Sequence, residues 1–331
     1  MIALPAHATH NNLPPGLGDC IRSISATLQE RNVDSPRLSA EVLVAAALGK
    51  SRPDMIRDLI LNEKQLLPQE ALRKAHAYCL RRAGGEPVAY IVGEKEFYGR
   101  DFTVSPDVLV PRPETELLIE LALSAANKPE YSSHPFFADF GTGSGCIAIT
   151  LALEMPGWRG LALDKSAGAL TLAALNAANP AAAERLSFPL GDFAKAPLAP
   201  RSLALLVSNP PYIGEEEYGE LSPEVRWYEP KSALVPDQPQ SCPPLVQDDR
   251  QDQASGDELP EQAQATGLEC ALAIIRQASD LLRPGGTLLL EIGCAQGRKL
   301  VSVFDPKKWK HTVLHTDLAG LDRVIEAVLR D

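Results

Sequence analysis

The segment Asn209-Pro210-Pro211-Tyr212 contains the residue types with the most specific chemistry in this sequence. Its two prolines stiffen the turn and contribute no backbone N–H of their own. The Asn209 side-chain oxygen and the Pro210 carbonyl oxygen can therefore accept both hydrogens of one planar NH2 group, while Tyr212 supplies an aromatic wall. An amide or exocyclic amino nitrogen is a poor nucleophile because its lone pair is delocalised. Two fixed acceptors orient that nitrogen and stabilise the positive charge that develops as it attacks an electrophile.

A glycine-rich loop at residues 139–145, Asp-Phe-Gly-Thr-Gly-Ser-Gly, joins a predicted strand to a predicted helix. Glycines let the backbone turn tightly and approach a ligand, and a helix N-terminus offers free N–H groups. The dinucleotide fingerprint G-x-G-x-x-G would need its third glycine at Cys146, which disfavours a hydride-transfer enzyme. The loop predicts contact with a ligand, and a bare turn is the alternative.

Acidic residues end the next two predicted strands. Asp164 lies about twenty residues beyond the glycine loop, where a carboxylate can accept hydrogen bonds from ribose hydroxyls. Asp192 and Phe193 suit an adenine amino group and the face of its ring, although a capping Asp beside a core Phe explains them as well. The glycine-rich loop and these two aspartates together predict a nucleoside-binding site. The natural electrophile there is the sulfonium methyl group of S-adenosylmethionine, so the predicted reaction is N-methylation of a planar NH2 group.

Strands that alternate with helices from about Glu114 onward position these segments. The predicted strands are 136–140, 161–164, 186–191, 203–208 and 287–292, and the predicted helices include 146–154 and 167–178. This alternation implies a parallel sheet covered on both faces. Two further strand-like runs, at 312–317 and 323–329, flank Gly320 and predict an antiparallel end to the sheet.

The chain before this region has a helical pattern. One predicted helix starts at Ser35-Pro36 and stops at Gly49, and another spans residues 68–82. Between 87 and 113 the period changes to that of short strands and turns. The predicted domains are a flexible tail, a helical domain, a hairpin linker and an α/β domain, at 1–16, 17–93, 94–113 and 114–331.

Residues 236–265 interrupt the α/β pattern. They are rich in Pro, Gln, Asp and Ser, and seven acidic residues stand against the single basic Arg250. Because so few apolar residues cannot offset the cost of ordering the chain, we predict a disordered insertion. An acidic docking segment is the alternative.

The overall composition excludes several classes of protein. The 331 residues are 45% hydrophobic and 23% charged, as in ordinary globular chains. A net charge of −11 disfavours binding along nucleic acid, which needs basic surface. Six cysteines without a C-x-x-C pair predict free thiols rather than a metal site. With no signal peptide and no apolar run of about 18 residues, we expect a cytoplasmic protein without membrane contact or metal.

Taken together, these residues resemble class I S-adenosylmethionine-dependent methyltransferases, and in particular the PrmC/HemK family of peptide chain release factor glutamine methyltransferases. The resemblance covers about Leu17 to Leu329 apart from the insertion. Its distinguishing motifs include Gly-Glu-Pro-Val-Ala-Tyr-Ile at 85–91, Val-Pro-Arg-Pro-Glu-Thr-Glu at 110–116, Tyr-Glu-Pro at 228–230 and Leu-Leu-Leu-Glu at 288–291. It implies a Rossmann-like α/β sheet, mostly parallel with an antiparallel last strand, preceded by a small helical bundle and a β-hairpin linker.

The resemblance also implies individual roles. The implied cofactor-binding residues are Gly141, Thr142, Gly143, Gly145, Asp164, Asp192, Phe193 and Asn209, for S-adenosyl-L-methionine without a metal. The implied substrate-binding residues are Asn209, Pro210, Pro211, Tyr212, Arg112 and Glu116, of which Asn209, Pro210 and Tyr212 are catalytic. The substrate would be the glutamine of the Gly-Gly-Gln loop in class 1 release factors, methylated on its side-chain nitrogen N5. The helical domain would help to dock the release factor, and we expect a monomer that binds no nucleic acid directly.

Two other functions stay open at this point. An exocyclic amino group of adenine or cytosine presents the same two hydrogens to the Asn209 segment, so a DNA or RNA amino methyltransferase is one alternative. The acidic net charge disfavours it. A non-catalytic, S-adenosylmethionine-binding adaptor of release factors is the other, and the intact Asn209 segment disfavours that.

Overall fold

The computed structural model describes residues 13–127, 131, 135–236 and 266–330. They form two compact units. The first holds the described residues up to Glu94 together with Pro223–Tyr228, and the second holds Lys95–Ser222 and the described residues from Glu229 onward. Most of the predicted tail and nearly all of the predicted insertion lie outside the described residues. Within the described ranges, no helix combines the length and the hydropathy needed to cross a bilayer.

Helices come first along the chain, and strands alternate with helices after them. The helices are α1 (Leu17–Glu30), α2 (Pro36–Ala47), α3 (Arg52–Leu61), α4 (Gln69–Ala83), α5 (Val88–Val92), α6 (Glu116–Ala126), α7 (Cys146–Glu154), α8 (Ala167–Asn176), α9 (Pro180–Ala183), α10 (Glu215–Tyr218), α11 (Pro223–Tyr228), α12 (Glu269–Leu281) and α13 (Gly297–Val301). The strands are β1 (Glu94–Phe97), β2 (Arg100–Thr103), β3 (Phe136–Phe140), β4 (Arg159–Leu163), β5 (Leu186–Ser187), β6 (Leu203–Ser208), β7 (Leu282–Glu291), β8 (Trp309–Thr316) and β9 (Asp322–Leu329).

The first unit is a bundle of α1 to α5 with α11, and the predicted helical bundle is confirmed. Apolar side chains at helical spacing, such as Leu17, Ile21 and Leu28 of α1, are fully buried in its core. Helix α5 differs from the sequence-based prediction of strands and turns from residue 87 onward. Its buried apolar residues follow Pro87, and Gly93 ends it in a left-handed conformation with φ of 86°, so the short run closes as one helical turn.

The second unit contains a seven-stranded sheet in the order β5-β4-β3-β6-β7-β9-β8. The first five strands are parallel, and β9 runs antiparallel to both β7 and β8. The predicted mostly parallel sheet with an antiparallel end is confirmed. Strand β6 is buried along its whole length, as its uninterrupted apolar run predicts for a central parallel strand. Helices α6 and α7 pack against one face of the sheet, and α12 packs against the other.

Two predicted strands differ most from the structure in their bounds. The strand predicted at 186–191 pairs with β4 only over Leu186–Ser187, followed by one isolated bridge between Asp164 and Leu190. Pro189 interrupts the ladder because it has no N–H to donate. Strand β7 begins five residues earlier than predicted, at Leu282 rather than 287. The Pro-Gly-Gly run at 284–286 lies inside it at a shift in register rather than ending it.

The parallel strands bring the predicted site residues to one edge of the sheet. The glycine loop follows β3, Asp164 follows β4, and Asn209 follows β6. Register pairing places Ser208 of β6 opposite Leu290 of β7, so Asn209 and Glu291 come next on neighbouring strands. Ligands of open α/β sheets bind outside these carboxyl ends.

Candidate active site

A cavity of about 520 Å³ opens at the carboxyl edge of the sheet. Most of the predicted site residues line it, namely Gly141, Thr142, Gly143, Asp164, Asp192, Phe193, Asn209, Pro211 and Arg112. Gly145, Pro210, Tyr212 and Glu116 are not among the lining residues. The cavity therefore joins the predicted nucleoside-binding residues to the start of the Asn209 segment.

The glycine loop is fastened to the end of β4. The backbone N–H groups of Gly141 and Thr142 both donate to the Leu163 carbonyl, at 2.9 and 3.0 Å. Gly143 donates its N–H to Asp164 Oδ2 at 2.9 Å, and Ser166 donates its own to Asp164 Oδ1 at 2.8 Å. Each carboxylate oxygen can accept a further hydrogen bond, so Asp164 can hold the loop and receive ribose hydroxyls at the same time.

Gly145 has a different part in the loop from the other glycines. Its φ is +81°, and a Cβ there would lie 2.8 Å from Ile149 Cδ1 and 3.1 Å from Ala173 Cβ. The residue therefore permits the close approach of α7 and α8, and it places the N-terminus of α7 behind the cavity.

The residues after β5 cap a short helix and face the cavity together. Asp192 Oδ1 accepts the N–H of Ala194 at 2.8 Å, which caps the 3-10 helix Phe193–Lys195. The Phe193 ring stacks on Phe140, with 6.3 Å between centroids and 21° between planes. Asp192 is thus the cap that one of the two explanations from the sequence predicts. The pair also lines the cavity, and its contact with adenine stays a prediction.

Asp139 lies beneath the glycine loop, fully buried. Burial raises the pKa of its carboxyl to about 7, against the opposing effect of a hydrogen bond from Thr142. The Thr142 hydroxyl donates that bond to Asp139 Oδ2 at 2.6 Å. Asp139 therefore fixes the side chain of Thr142 from the buried side of the glycine loop.

The Asn209 loop, residues 209–212, is held at both ends. Asn209 Nδ2 donates to Thr115 Oγ1 at 3.1 Å, so its Oδ1 is the atom left to accept. The carbonyl oxygen of Tyr212 accepts from Gln296 Nε2 at 2.8 Å. Burial raises the pKa of the Tyr212 phenol to about 12, which keeps it neutral at physiological pH, so it suits the role of an aromatic wall rather than that of a base.

Gly267, which lies just before α12, is close to the backbone of the Asn209 loop. Its φ is +83°, and a Cβ on it would lie 2.4 Å from the Tyr212 carbonyl oxygen and 3.0 Å from the N atom of Gly214. Only a glycine leaves room for the Tyr212 backbone at this position.

Arg112 is held in place by Glu229, which is buried. Its Nη2 donates to Glu229 Oε1 at 2.6 Å, and the N–H of Val110 donates to Glu229 Oε2 at 3.1 Å. Glu229 thus fixes the Arg112 side chain and the Val110 backbone of the motif at 110–116, beside the cavity. The Glu116 side chain instead contacts the turn between β1 and β2, where its Oε1 accepts the N–H of Tyr98 at 2.9 Å.

The sequence placed the 112–116 segment at the substrate mouth but gave no individual role to Thr115, and none to Glu291. The structure places Thr115 against Asn209 and Glu291 against Thr115. Thr115 lines the cavity, and its hydroxyl hydrogen-bonds to the Glu291 carboxylate. A signal was present for each, because Thr115 lies in the motif at 110–116 and Glu291 ends the motif at 288–291. The contact of Thr115 with Asn209 and that of Glu291 with Thr115 depend on the packing of the folded sheet, which the motifs do not reveal.

Comparison with known proteins supplies the family. Residues 19–93 match the family described as PrmC N-terminal domain, and residues 115–221 match the methyltransferase small domain. A release factor glutamine methyltransferase from Nitratidesulfovibrio vulgaris is 46% identical over 327 residues, which is 98% of this chain and 97% of the relative. This chain belongs to the release factor glutamine methyltransferase family.

Other relatives in this family agree over nearly the same span. The release factor glutamine methyltransferase of Cereibacter sphaeroides is 39% identical over 94% of this chain and 98% of its own length. That of Chlorobaculum tepidum is 40% identical over 86% of this chain and 88% of its own. The family resemblance inferred from the motifs is therefore confirmed.

Proposed function

We propose that this chain transfers a methyl group from S-adenosyl-L-methionine to the side-chain nitrogen, N5, of the glutamine in the Gly-Gly-Gln motif of class 1 peptide chain release factors. The observation that carries this proposal is the orientation of Asn209, whose Nδ2 is bound to Thr115 while its carboxamide lines the cavity beside the glycine loop. A carboxamide held this way offers an acceptor, and not a donor, to an incoming NH2 group.

The residues at the cavity fit S-adenosyl-L-methionine. A volume of about 520 Å³ is in the range of small-molecule sites. Asp164 has acceptor capacity left for ribose hydroxyls. The carboxylate of Asp192 suits the adenine amino group, and the ring of Phe193 suits the face of the adenine ring. When bound, the cofactor supplies a methyl carbon on a positive sulfur, and the carbon–sulfur bond breaks as the carbon–nitrogen bond forms.

The Asn209 loop would activate the glutamine by position and by charge. Asn209 Oδ1 and the Pro210 carbonyl each accept one hydrogen of the glutamine NH2 group, which turns the nitrogen lone pair toward the methyl carbon. Placing the reacting atoms about 3 Å apart in line removes several kcal/mol from the barrier. The same two acceptors stabilise the positive charge on nitrogen. The methylated, protonated amide is strongly acidic and releases its proton to water.

The remaining parts of the chain serve the protein substrate in this proposal. The helical unit contributes docking surface for the release factor, while Arg112 and Pro211, which line the cavity, flank the glutamine. Tyr212 follows Pro211 outside the cavity lining and is the proposed aromatic wall. We place the reaction in the cytoplasm, where release factors meet ribosomes, and assign the active form to a monomer. The acidic net charge favours a protein substrate over nucleic acid.

Mass spectrometry of treated release factor tests the function. We expect a gain of one methyl group on the glutamine of the Gly-Gly-Gln motif, and no gain when that glutamine is replaced by glutamate, which lacks the NH2 group. Duplex DNA and ribosomal RNA are the matched alternative substrates. Methyl incorporation into either nucleic acid, or into release factor without the glutamine, would contradict the proposal.

Gly267→Ala should damage the reaction through the Asn209 loop. The new methyl group overlaps the Tyr212 carbonyl oxygen, so the loop must shift, and we expect kcat for release-factor methylation to fall about tenfold or more. Gly320→Ala is the control, because its φ is also positive, at +77°, and nothing lies within 4 Å of the added Cβ. It should lose about 1 kcal/mol of stability and retain kcat. Equal kcat losses in the two variants would refute the explanation.

A further inference from the structure

A chain of hydrogen bonds runs from Asn209 into the protein interior. Asn209 Nδ2 donates to Thr115 Oγ1 at 3.1 Å, and the Thr115 hydroxyl bonds to the carboxylate of Glu291. Thr115 comes from the short 3-10 helix before α6, and Glu291 is the last residue of β7. Three segments distant in sequence thus meet at the Thr115 hydroxyl.

The chemistry of the three groups fixes which of them donates and which accepts in each hydrogen bond. An ionised carboxylate accepts hydrogen bonds and cannot donate them. Thr115 has a single hydroxyl proton, and while Glu291 takes it, Thr115 Oγ1 can only accept from Asn209. An asparagine amide beside a pure acceptor must present its Nδ2, and so its Oδ1 faces the cavity.

The environment of Glu291 makes this arrangement costly for the fold. Its residue exposure is 1%, and its Oε2 accepts no hydrogen bond within the part of the chain that the structure describes. Burial raises the pKa of the Glu291 carboxyl to about 7, and the hydrogen bond from Thr115 opposes that rise. The charged and titratable groups around it are Arg323, Glu114, Arg112, Tyr212 and Cys146. An apolar side chain would stabilise this position more, since a buried carboxylate without full compensation is destabilising.

We propose that Thr115 and Glu291 are positioning residues that set the orientation of the Asn209 carboxamide for the glutamine substrate. The inference rests on the proposed function, and it adds to it the groups that make Asn209 an acceptor. Neither side chain touches the reacting atoms. Their effect passes through the choice between the two ends of the Asn209 amide, which have nearly the same shape and opposite hydrogen-bonding character.

Thr115→Val tests the link to Asn209. Valine keeps the shape of threonine and cannot bond to Asn209, so we expect kcat to fall about tenfold, the equivalent of one hydrogen bond, with the Kd for S-adenosyl-L-methionine unchanged within about twofold. Thr115→Ser restores the hydroxyl and should recover most of kcat. The control is Thr171→Val, whose hydroxyl bonds only to the Ala167 carbonyl on the exposed face of α8.

Glu291→Gln tests the order of donors and acceptors in these hydrogen bonds. A glutamine can donate to Thr115 Oγ1, which frees the Thr115 proton for Asn209 Oδ1 and lets the amide turn over. At pH 8, where the Glu291 carboxyl of the wild type is mostly ionised, we expect the variant to lose about fivefold to tenfold in kcat and to melt at a higher temperature, because the buried charge is gone. The native pKa lies above the unfolded value of 4.5, so the wild type regains this stability progressively as the pH falls from about 7 to 4.5 and gains nothing further below that. The difference in melting temperature should therefore vanish near pH 4.5.

Nuclear magnetic resonance gives a readout that does not depend on activity. In protein labelled with 15N-asparagine, the side-chain NH2 signal of Asn209 is identified by its absence from Asn209→Ala. We expect it to move in Thr115→Val and in Glu291→Gln, and to stay in place in Thr171→Val. An unmoved signal, or wild-type kcat in both Thr115→Val and Glu291→Gln, would overturn the inference while leaving the proposed function intact. Failure of the wild type to methylate the glutamine, with the signal shifts as expected, would instead refute the function.

Discussion

Replacing Asn209 by alanine is expected to lower kcat for release-factor methylation by roughly 100-fold or more, with the Kd for S-adenosyl-L-methionine within a few-fold of wild type. The substitution removes Oδ1, one of the two acceptors that orient the glutamine nitrogen and stabilise its developing charge. Because that charge appears only as the methyl group is transferred, the loss falls on kcat more than on binding. Single-turnover methyl transfer and calorimetric titration of the cofactor measure the two quantities separately.

Asn179→Ala is a suitable control for this variant. The Asn179 side chain caps the surface helix α9 by accepting the N–H of Ala181 at 3.0 Å, so its removal deletes an asparagine hydrogen bond away from the cavity. We expect it to cost some stability and no kcat. If Asn209→Ala turned over at the wild-type rate, the Asn209 loop would be a structural turn and the proposed chemistry would fail.

Local patterns were sufficient to predict most of the fold. The bounds of α7 and β6 agree with the prediction residue for residue, because a helix that starts at a glycine and a central apolar strand both have clear ends in sequence. The antiparallel end of the sheet also followed from two apolar runs around one glycine. The predicted strand bounds were wrong where proline or glycine residues favour ending a strand and pairing with the neighbouring strand favours continuing it. Pro189 shortened β5, whereas Pro284 with two glycines did not end β7.

The candidate site was predictable as a set of segments, but its internal contacts were not. Each strand-end residue could be named because the carboxyl ends of parallel strands share one edge. The partners of those residues are far away in sequence: Thr115 is 94 residues from Asn209, and Glu229 is 117 residues from Arg112. Such contacts depend on side-chain direction in the folded sheet. A pattern of residue types also cannot tell which end of an asparagine amide is free.

The contacts of Asp164 imply that its removal affects the cofactor in two ways. Its carboxylate fixes the glycine loop through the N–H of Gly143, and it retains lone pairs for the ribose. Both interactions are present with the cofactor bound in the ground state and in the transition state of methyl transfer. Their loss should therefore weaken binding of the cofactor before and during the reaction alike, which is the behaviour of uniform binding. This separates Asp164 from Asn209 by kinetics, although the two residues line one cavity.

Asp164→Ala is accordingly expected to raise the cofactor Kd by about 100-fold, since two hydrogen bonds to a charged group are worth roughly 3 kcal/mol together. At saturating cofactor, kcat should stay within a few-fold of wild type. Asp305→Ala is the matched control, because Asp305 also accepts the N–H of the residue two positions on, Lys307, at 2.8 Å, and lies outside the cavity. An unchanged Kd in Asp164→Ala would show that the carboxylate only caps the end of β4. A collapse of kcat at saturation would show instead that the loop geometry, rather than ribose binding, is what Asp164 provides.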